Sequence, residues 1–362
     1  VKECAKQSEI LNENGISLEE CENRIMSGSP KLWERMISHD DFLKLKVGMG
    51  NLKADIDIDY QKKKFTLTED NLWDDMLALA AAPIVLRNVP VTVSLKDNNI
   101  VGLVGDNSQE IQQYTKDCII QLSALHSYDE LKIVYVGDEQ TDTDWEFLKW
   151  LPHCWDNERK KRYVLESVND FKEIIATLDK EYDERNAIVN NTSKAPEFSP
   201  YYLIIMNSTK TANKCELINK ILNSDHNAGF SLLYISSKIS ELPKETSMVV
   251  ELNNGKARLY NKNDLSGEII EFQKNESVRN QYDILAKKML NTTLDLSKNL
   301  YTLPDMLDFL SMFNVGKIEH LNPFERWKNN DPTLSLQAPV GVNTTGDLFM
   351  LDLHEKFQGP HG

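Results

Sequence analysis

Residues 99–125 read NIVGLVGDNSQEIQQYTKDCIIQLSAL. A short apolar strand, Ile100 to Val104, breaks at Gly105-Asp106-Asn107-Ser108 and gives way to a helix whose Ile111, Thr115, Cys118, Leu122 and Leu125 share one face. This is the outline of a phosphate-binding strand, loop and helix. In a working loop of that kind successive backbone N–H groups cradle the phosphates, a Lys reaches the β/γ-phosphates and a Ser/Thr hydroxyl holds Mg²⁺. Here the loop is short and has no Lys, so Gly102, Gly105, Asp106, Asn107 and Ser108 read as a degenerate version of it. Asp106 is expected to cap the helix, placing negative charge where a phosphate would otherwise bind.

The neighbourhood of this stretch fixes the fold class. Downstream, short apolar segments alternate with amphipathic ones: strands at Leu131 to Val136, Tyr163 to Leu165, Tyr201 to Met206, Ser231 to Ile235 and Met248 to Leu252, with helices near Thr143 to Trp150, Asn169 to Ala187 and Ala212 to Leu222. Such alternation predicts an α/β domain with a mainly parallel sheet flanked by helices. Lys256 to Phe272 reads as a β-hairpin and Val278 to Leu290 as a closing helix. Upstream, Val89 to Leu95 reads as a strand and Asp97-Asn98-Asn99 as a tight turn, with Ile100 to Val104 as its hairpin partner. Thr68 opens a capped helix that runs to Pro83. The pair Gly48 and Gly50, closing a strand-like run from Phe42, reads as a turn at a strand end, since a GxG without a third Gly is a weak nucleotide signal.

The two ends differ from this middle. Residues 1–30 are charged, with a narrow stripe of Ile10, Leu11, Leu18, Cys21 and Ile25, the pattern of a stalk or linker helix pair that needs a neighbour. Near the other end Tyr301 to Phe313 reads as a helix, and Leu334 to Val342 with Leu348 to Leu353 as a hairpin of a further unit. The length of 362 residues accommodates more than one core.

Composition narrows the function. A net charge of −15 argues against a nucleic-acid partner, because phosphate contacts need clustered Lys/Arg and the basic run Arg159-Lys160-Lys161-Arg162 is short enough for a solvated loop. Five Cys at irregular spacing suggest neither a disulfide framework nor a zinc site. The apolar run Met76 to Leu86 contains Pro83 and falls well short of the ~20 residues of a membrane span.

Catalytic residues are not apparent, and no metal site is expected. Tyr201 to Met206 stands where a nucleotide hydrolase carries its Walker B strand, which must end in an acid to hold the Mg²⁺ shell and orient water. It ends instead in Met206 and Asn207. His126, His153 and His354 show no ligand spacing and read as surface or loop histidines, and Cys118 as a structural thiol on the helix's apolar face. Asp74-Asp75 and the triplet Asp142, Asp144, Glu146 read as solvated helix ends.

The end of the chain, Pro339-Val340-Gly341 through Gly346-Asp347 to Leu351-Asp352-Leu353-His354-Glu355 and Gly359-Pro360-His361-Gly362, resembles the lead-in to the first catalytic domain of FtsK/SpoIIIE-type ATPases of type VII secretion. Arg35 to Gly50, Val89 to Gly105, Leu122 to Val136 and Trp150-Leu151-Pro152-His153 resemble the matching parts of their membrane-anchored coupling proteins in type VIIb systems. The resemblance implies a membrane-proximal stalk over 1–30 and a degenerate P-loop-NTPase-like domain over 31–320. It further implies that 321–362 is a linker and the leading β-hairpin of the first catalytic domain, whose own P-loop would follow Gly359, Pro360, His361 and Gly362. It implies no cofactor in this stretch, ATP and Mg in the downstream domains, and a protein anchored at the cytoplasmic face of the cell membrane. The implied partners are those ATPase domains, other membrane components of the secretion machine, and copies of itself in a homo-oligomer.

Overall fold

A computed structural model describes residues 2–56, 75, 84–137, 143–165, 168–191, 196–207, 215–253, 255–264, 266–275, 281–294, 307–313, 315–328, 331, 333, 336–342 and 348–353. Apart from Asp75, the capped helix expected from Thr68 to Pro83 lies outside the described residues, as do His354 and the Gly359 to Gly362 lead-in. Contacts divide the chain into two compact units, 1–292 and 293–362.

The first unit opens with helices α1 (Lys2–Asn14) and α2 (Leu18–Ser27). Ser17 caps α2 by accepting the Glu20 N–H, and Gly28, at φ 64°, ends it in the left-handed conformation that glycine adopts without strain. The stripe expected to need a neighbour finds one inside this unit: Leu18, Cys21 and Ile25 are buried, and α2 packs on the central helix described below.

Strands β1 (Lys44–Lys53), β2 (Val85–Ser94) and β3 (Ile100–Gly105) lead into the central helix α3 (Ser108–Leu125). Then come β4 (Leu131–Val136), a 3₁₀ segment (Thr143–Trp150), the short edge strand β5 (Val164–Leu165), helix α4 (Val168–Asn191), β6 (Tyr201–Met206), α5 (Glu216–Leu222) and β7 (Phe230–Ser236). Strands β8 (Met248–Asn253), β9 (Lys256–Asn261) and β10 (Ile270–Lys274) and helix α6 (Tyr282–Leu290) complete the unit.

All ten strands form one mixed sheet in the order β2-β1-β10-β9-β8-β3-β7-β6-β4-β5. The half from β8 to β5 is parallel and the half from β2 to β8 antiparallel. Strands β3, β4, β6 and β7 are buried at every position, as expected of parallel strands covered on both faces. One face packs Ile174 and Leu178 of α4 and Leu217 and Ile218 of α5 against Val134, Ile204 and Leu232. The central helix α3 packs on β3 and β1 and contacts α2 and α6. Leaving the two-residue β5 aside, the parallel strands in chain order (β3, β4, β6, β7, β8) lie as 5-1-4-3-2, a P-loop-like arrangement.

Two sequence expectations fail here. β2 and β3 are not a hairpin: β2 is the antiparallel edge strand beside β1, and β3 sits in the middle between β7 and β8. The Asp97 to Asn99 turn signal is local, whereas partner choice is set by the parallel crossovers. Gly48 and Gly50 are not a turn either but lie inside β1, opposite Lys274 and Phe272, between two register shifts against β2. A Cβ at Gly48 would stand 2.1 Å from the Gln273 carbonyl oxygen, so glycine here permits close strand approach.

The second unit contains helices α7 (Phe309–Met312) and α8 (Pro323–Lys328) and the antiparallel pair β11 (Gln337–Val342) and β12 (Leu348–Asp352), the hairpin read from the sequence. Val340, Phe349 and Leu353 on the hairpin are exposed.

Candidate functional site

The parallel half builds one cleft at the carboxyl ends of β3 and β7, where α3 leaves the sheet. Open α/β sheets bind ligands at this kind of crevice. It has a volume of about 250 Å³ and is lined by Gly105, Asp106, Ser108, Gln112, Asn207, Ser236, Ser237 and Glu241, with Ile111 and Ile235.

The residues predicted from the sequence divide between the cleft and its supports. Gly105, Asp106 and Ser108 line it. Gly102 lies deeper, inside β3 between Tyr234 and Val249, where a Cβ would come within 2.5 Å of Leu242 Cδ1. It is a packing position rather than part of a loop. Asn107, not Asp106, is the N-cap of α3: its side-chain oxygen accepts the N–H groups of Gln109 and Glu110 at 3.1 and 3.3 Å. The cap is thus neutral, and Asp106 is an exposed carboxylate beside it. Met206 is buried at the end of β6, and Asn207 reaches the cleft, held by its N–H to the Val136 carbonyl (2.9 Å) and its amide to the Tyr135 hydroxyl (2.8 Å).

Sequence reasoning missed the far wall. Glu241 accepts hydrogen bonds from the Ser236 hydroxyl at 2.6 Å and the Ser237 hydroxyl at 3.2 Å. These two donors hold its carboxyl below the ordinary range. The trace it leaves in the sequence is a Ser-Ser pair at the end of a buried strand, with an acid four residues after the second serine. Two carboxylates, Asp106 and Glu241, therefore line the cleft, and none of its described lining residues is Lys or Arg. Lys274 reaches the first turn of α3, where it pairs with Glu110 at 2.6 Å.

The remaining candidates fall elsewhere. His126 and His153 are fully buried, contrary to their reading as surface or loop residues. His126 Nε2 accepts the Leu43 N–H at 2.9 Å while its Nδ1–H donates to the Leu122 carbonyl at 2.8 Å, closing the end of α3. His153 Nε2–H donates to the His126 carbonyl at 2.8 Å. Burial pushes both imidazoles down to about 3, so both are neutral core groups. Cys118 is buried on α3, and burial raises its thiol well above the ordinary range, which makes it a structural thiol as expected. Lys160 to Arg162 are paired or stacked on the surface: Lys160 with Glu158, Lys161 with Glu173, Arg162 over Trp155. Among the described residues no group of His, Cys, Asp and Glu is arranged to hold a metal ion, and no helix is long and apolar enough to cross a membrane.

No family model matches the chain. Against curated proteins it is 25% identical over 365 residues to the type VII secretion system protein EssC of Staphylococcus aureus (strain MSSA476), a match covering 97% of this chain and 24% of the relative. It is 24% identical over 380 residues to the ESX secretion system protein YukB of Bacillus subtilis (strain 168), covering 99% of this chain and 24% of that protein. The chain thus spans about a quarter of the length of the curated relatives it matches. Among solved structures it aligns with EssC (ATPases 2 and 3) from Geobacillus thermodenitrificans at 10% identity and a TM-score of 0.45, covering 90% of this chain and 61% of that one. It aligns with the cytoplasmic domain of the Thermomonospora curvata type VII secretion ATPase EccC at 13% identity and a TM-score of 0.47, covering 89% and 40%. The chain is thus similar, over nearly all of its own length, to a stretch of the type VII secretion proteins EssC and YukB.

Proposed function

We propose that the chain is a non-catalytic, ATPase-like domain of a type VII secretion motor, which couples a membrane anchor to ATPase domains that bind ATP and Mg further along the protein. The observation that carries this reading is the cleft. Where a phosphate-binding fold sets a Lys and a Walker B acid, this one sets Asp106, Asn207 and a Glu241 pinned by two serines. Carboxylates there repel the polyanion that the helix N-terminus would otherwise attract. In this reading 1–30 face the membrane side, 321–362 lead into the next ATPase domain, and the parent protein works as a homo-oligomer with other membrane components at the cytoplasmic face.

A second reading, a divergent domain that still binds nucleotide through Gly105 to Ser108, is favoured by the survival of the cleft at the switch point. Isothermal titration with Mg-ATP separates the two. Absence of binding through the millimolar range is expected. Micromolar binding that disappears in a folded Gly105→Asp variant would overturn the non-catalytic reading.

A further inference from the structure

Helix α1 buries none of its residues, whereas α2 buries Leu18, Cys21, Glu22, Arg24 and Ile25. Among the described residues the apolar cover of α1 is limited to Cys4 and Leu11, which pack part-buried on Ala54, Leu86 and Val89. Gln7 adds a two-way amide contact with the Asp55 backbone at 2.7 and 3.2 Å. A helix of 13 residues with so little cover is marginal by itself.

Two cations nevertheless hold its carboxyl end. Arg35 Nη2 donates to the Asn14 carbonyl at 2.7 Å and Lys46 Nζ to the Gly15 carbonyl at 3.0 Å. Both side chains are buried, at 5% and 8% exposure, and Arg35 is balanced by Asp41 at 2.9 Å. Positive charge at a helix carboxyl end satisfies orphan carbonyls and complements the helix dipole. Gly15 itself closes against Pro90, where a Cβ would come within 2.3 Å of the ring Cγ.

Lys46 has a second role through its backbone. Its N–H donates to Gln121 Oε1 at 2.8 Å, and its carbonyl accepts from Gln121 Nε2 at 3.3 Å. The adjacent Val47 carbonyl accepts the Tyr114 hydroxyl at 2.7 Å. One residue of β1 thus grips the α1–α2 turn with its side chain and the central helix α3 with its main chain.

We propose that α1 is a detachable latch, docked by Arg35 and Lys46, that lifts off as a unit while α2 stays in place, and that its docking is coupled to α3 through Lys46 and Gln121. The coupling is reciprocal by thermodynamic necessity: whatever loosens Gln121 from β1 loosens α1, and the converse. The latch stands on these contacts alone, so its test and the nucleotide-binding test fail separately.

The cysteines supply the readout. Cys4 on α1 is half-buried, whereas Cys21 on α2 and Cys118 on α3 are buried. Under native conditions a bulky maleimide labels Cys4 at a rate that follows the population of lifted α1. Lys46→Met keeps the aliphatic stem and removes the bond to Gly15. The loss of a charged hydrogen bond corresponds to labelling about tenfold faster or more. Gly15→Ala wedges the turn off Pro90 without altering any charge and should act in the same direction. Gln121→Leu, on α3, should also speed Cys4 labelling several-fold, with Cys21 and Cys118 protected as in the unmodified chain in all three variants. Wild-type Cys4 rates in both Lys46→Met and Gly15→Ala overturn the latch, and a wild-type rate in Gln121→Leu overturns the coupling. A parallel gain at Cys21 or Cys118 means general loosening and overturns lift-off as a unit.

Discussion

Acid should destabilise this fold through two residues, His126 and His153. His126 can be satisfied only when neutral with its proton on Nδ1, because Nε2 faces the Leu43 N–H and Nδ1 faces the Leu122 carbonyl. Protonation would set two N–H groups against each other at 2.9 Å. His153 uses Nε2–H on the His126 carbonyl, and its Nδ1 is buried without a partner, so an added proton there has no acceptor. Both imidazoles are held down to about 3, against an ordinary value of 6.5. The sign follows from linkage: the unfolded chain takes up protons first, so the contribution is complete above pH 6.5 and is lost as pH falls towards 3. Each histidine loses about 1.4 kcal/mol per pH unit below 6.5. Together they remove about 3 kcal/mol by pH 5.5 and about 5 kcal/mol by pH 4.5, a large part of the stability of an ordinary domain. Urea unfolding followed by circular dichroism at a series of pH values measures this. Between pH 6 and 4.5 the slope of unfolding free energy against pH should correspond to two more protons than in a His126→Gln/His153→Gln variant, whose carboxylates are unchanged. Equal slopes in the two proteins would refute the argument.

Two further outcomes test the geometry around the sheet and the cleft. Gly48→Ala should cost about 3 kcal/mol or more in urea unfolding, since its Cβ meets the Gln273 carbonyl and not a flexible side chain, and the β1–β10 pairing must part. Asn107→Ala should cost about 1 kcal/mol while Asp106→Ala stays within about 0.5 kcal/mol, the reverse of what an Asp106 cap would give.

How much of this was legible beforehand depends on whether the signal is local. The runs at 131–136 and 201–206 read as buried strands because parallel strands covered on both faces need no alternation, and their burial is complete. The hairpins β9–β10 and β11–β12 were legible because sequence neighbours pair. The β2–β3 turn carried the same local signal and misled, since β3 was taken by β7 and β8, strands more than a hundred residues away. The histidines were missed for a related reason. Whether His126 is a surface group or a neutral core connector is decided by the Leu43 N–H, far off in sequence. At the cleft, the absent Lys and acid were plain from the sequence, but Glu241 acquires its role only through the fold that brings its turn beside α3.

The central helix is closed at both ends by groups of the protein itself. In a phosphate-binding fold the first N–H groups of this helix are satisfied by the ligand, and the helix is ordered in part by what it holds. Here Asn107 takes two of those N–H groups with its own side chain, so the amino end is closed without a phosphate. The carboxyl end is closed by His126, and the middle is tied to β1 by Tyr114 and Gln121. Each of these is a polar group satisfied by the protein itself, and buried polar groups satisfied in place fix one arrangement more strictly than apolar packing does. A helix held this way has no need of nucleotide for its order. Its position instead answers to β1, the strand that Lys46 links to the N-terminal helix.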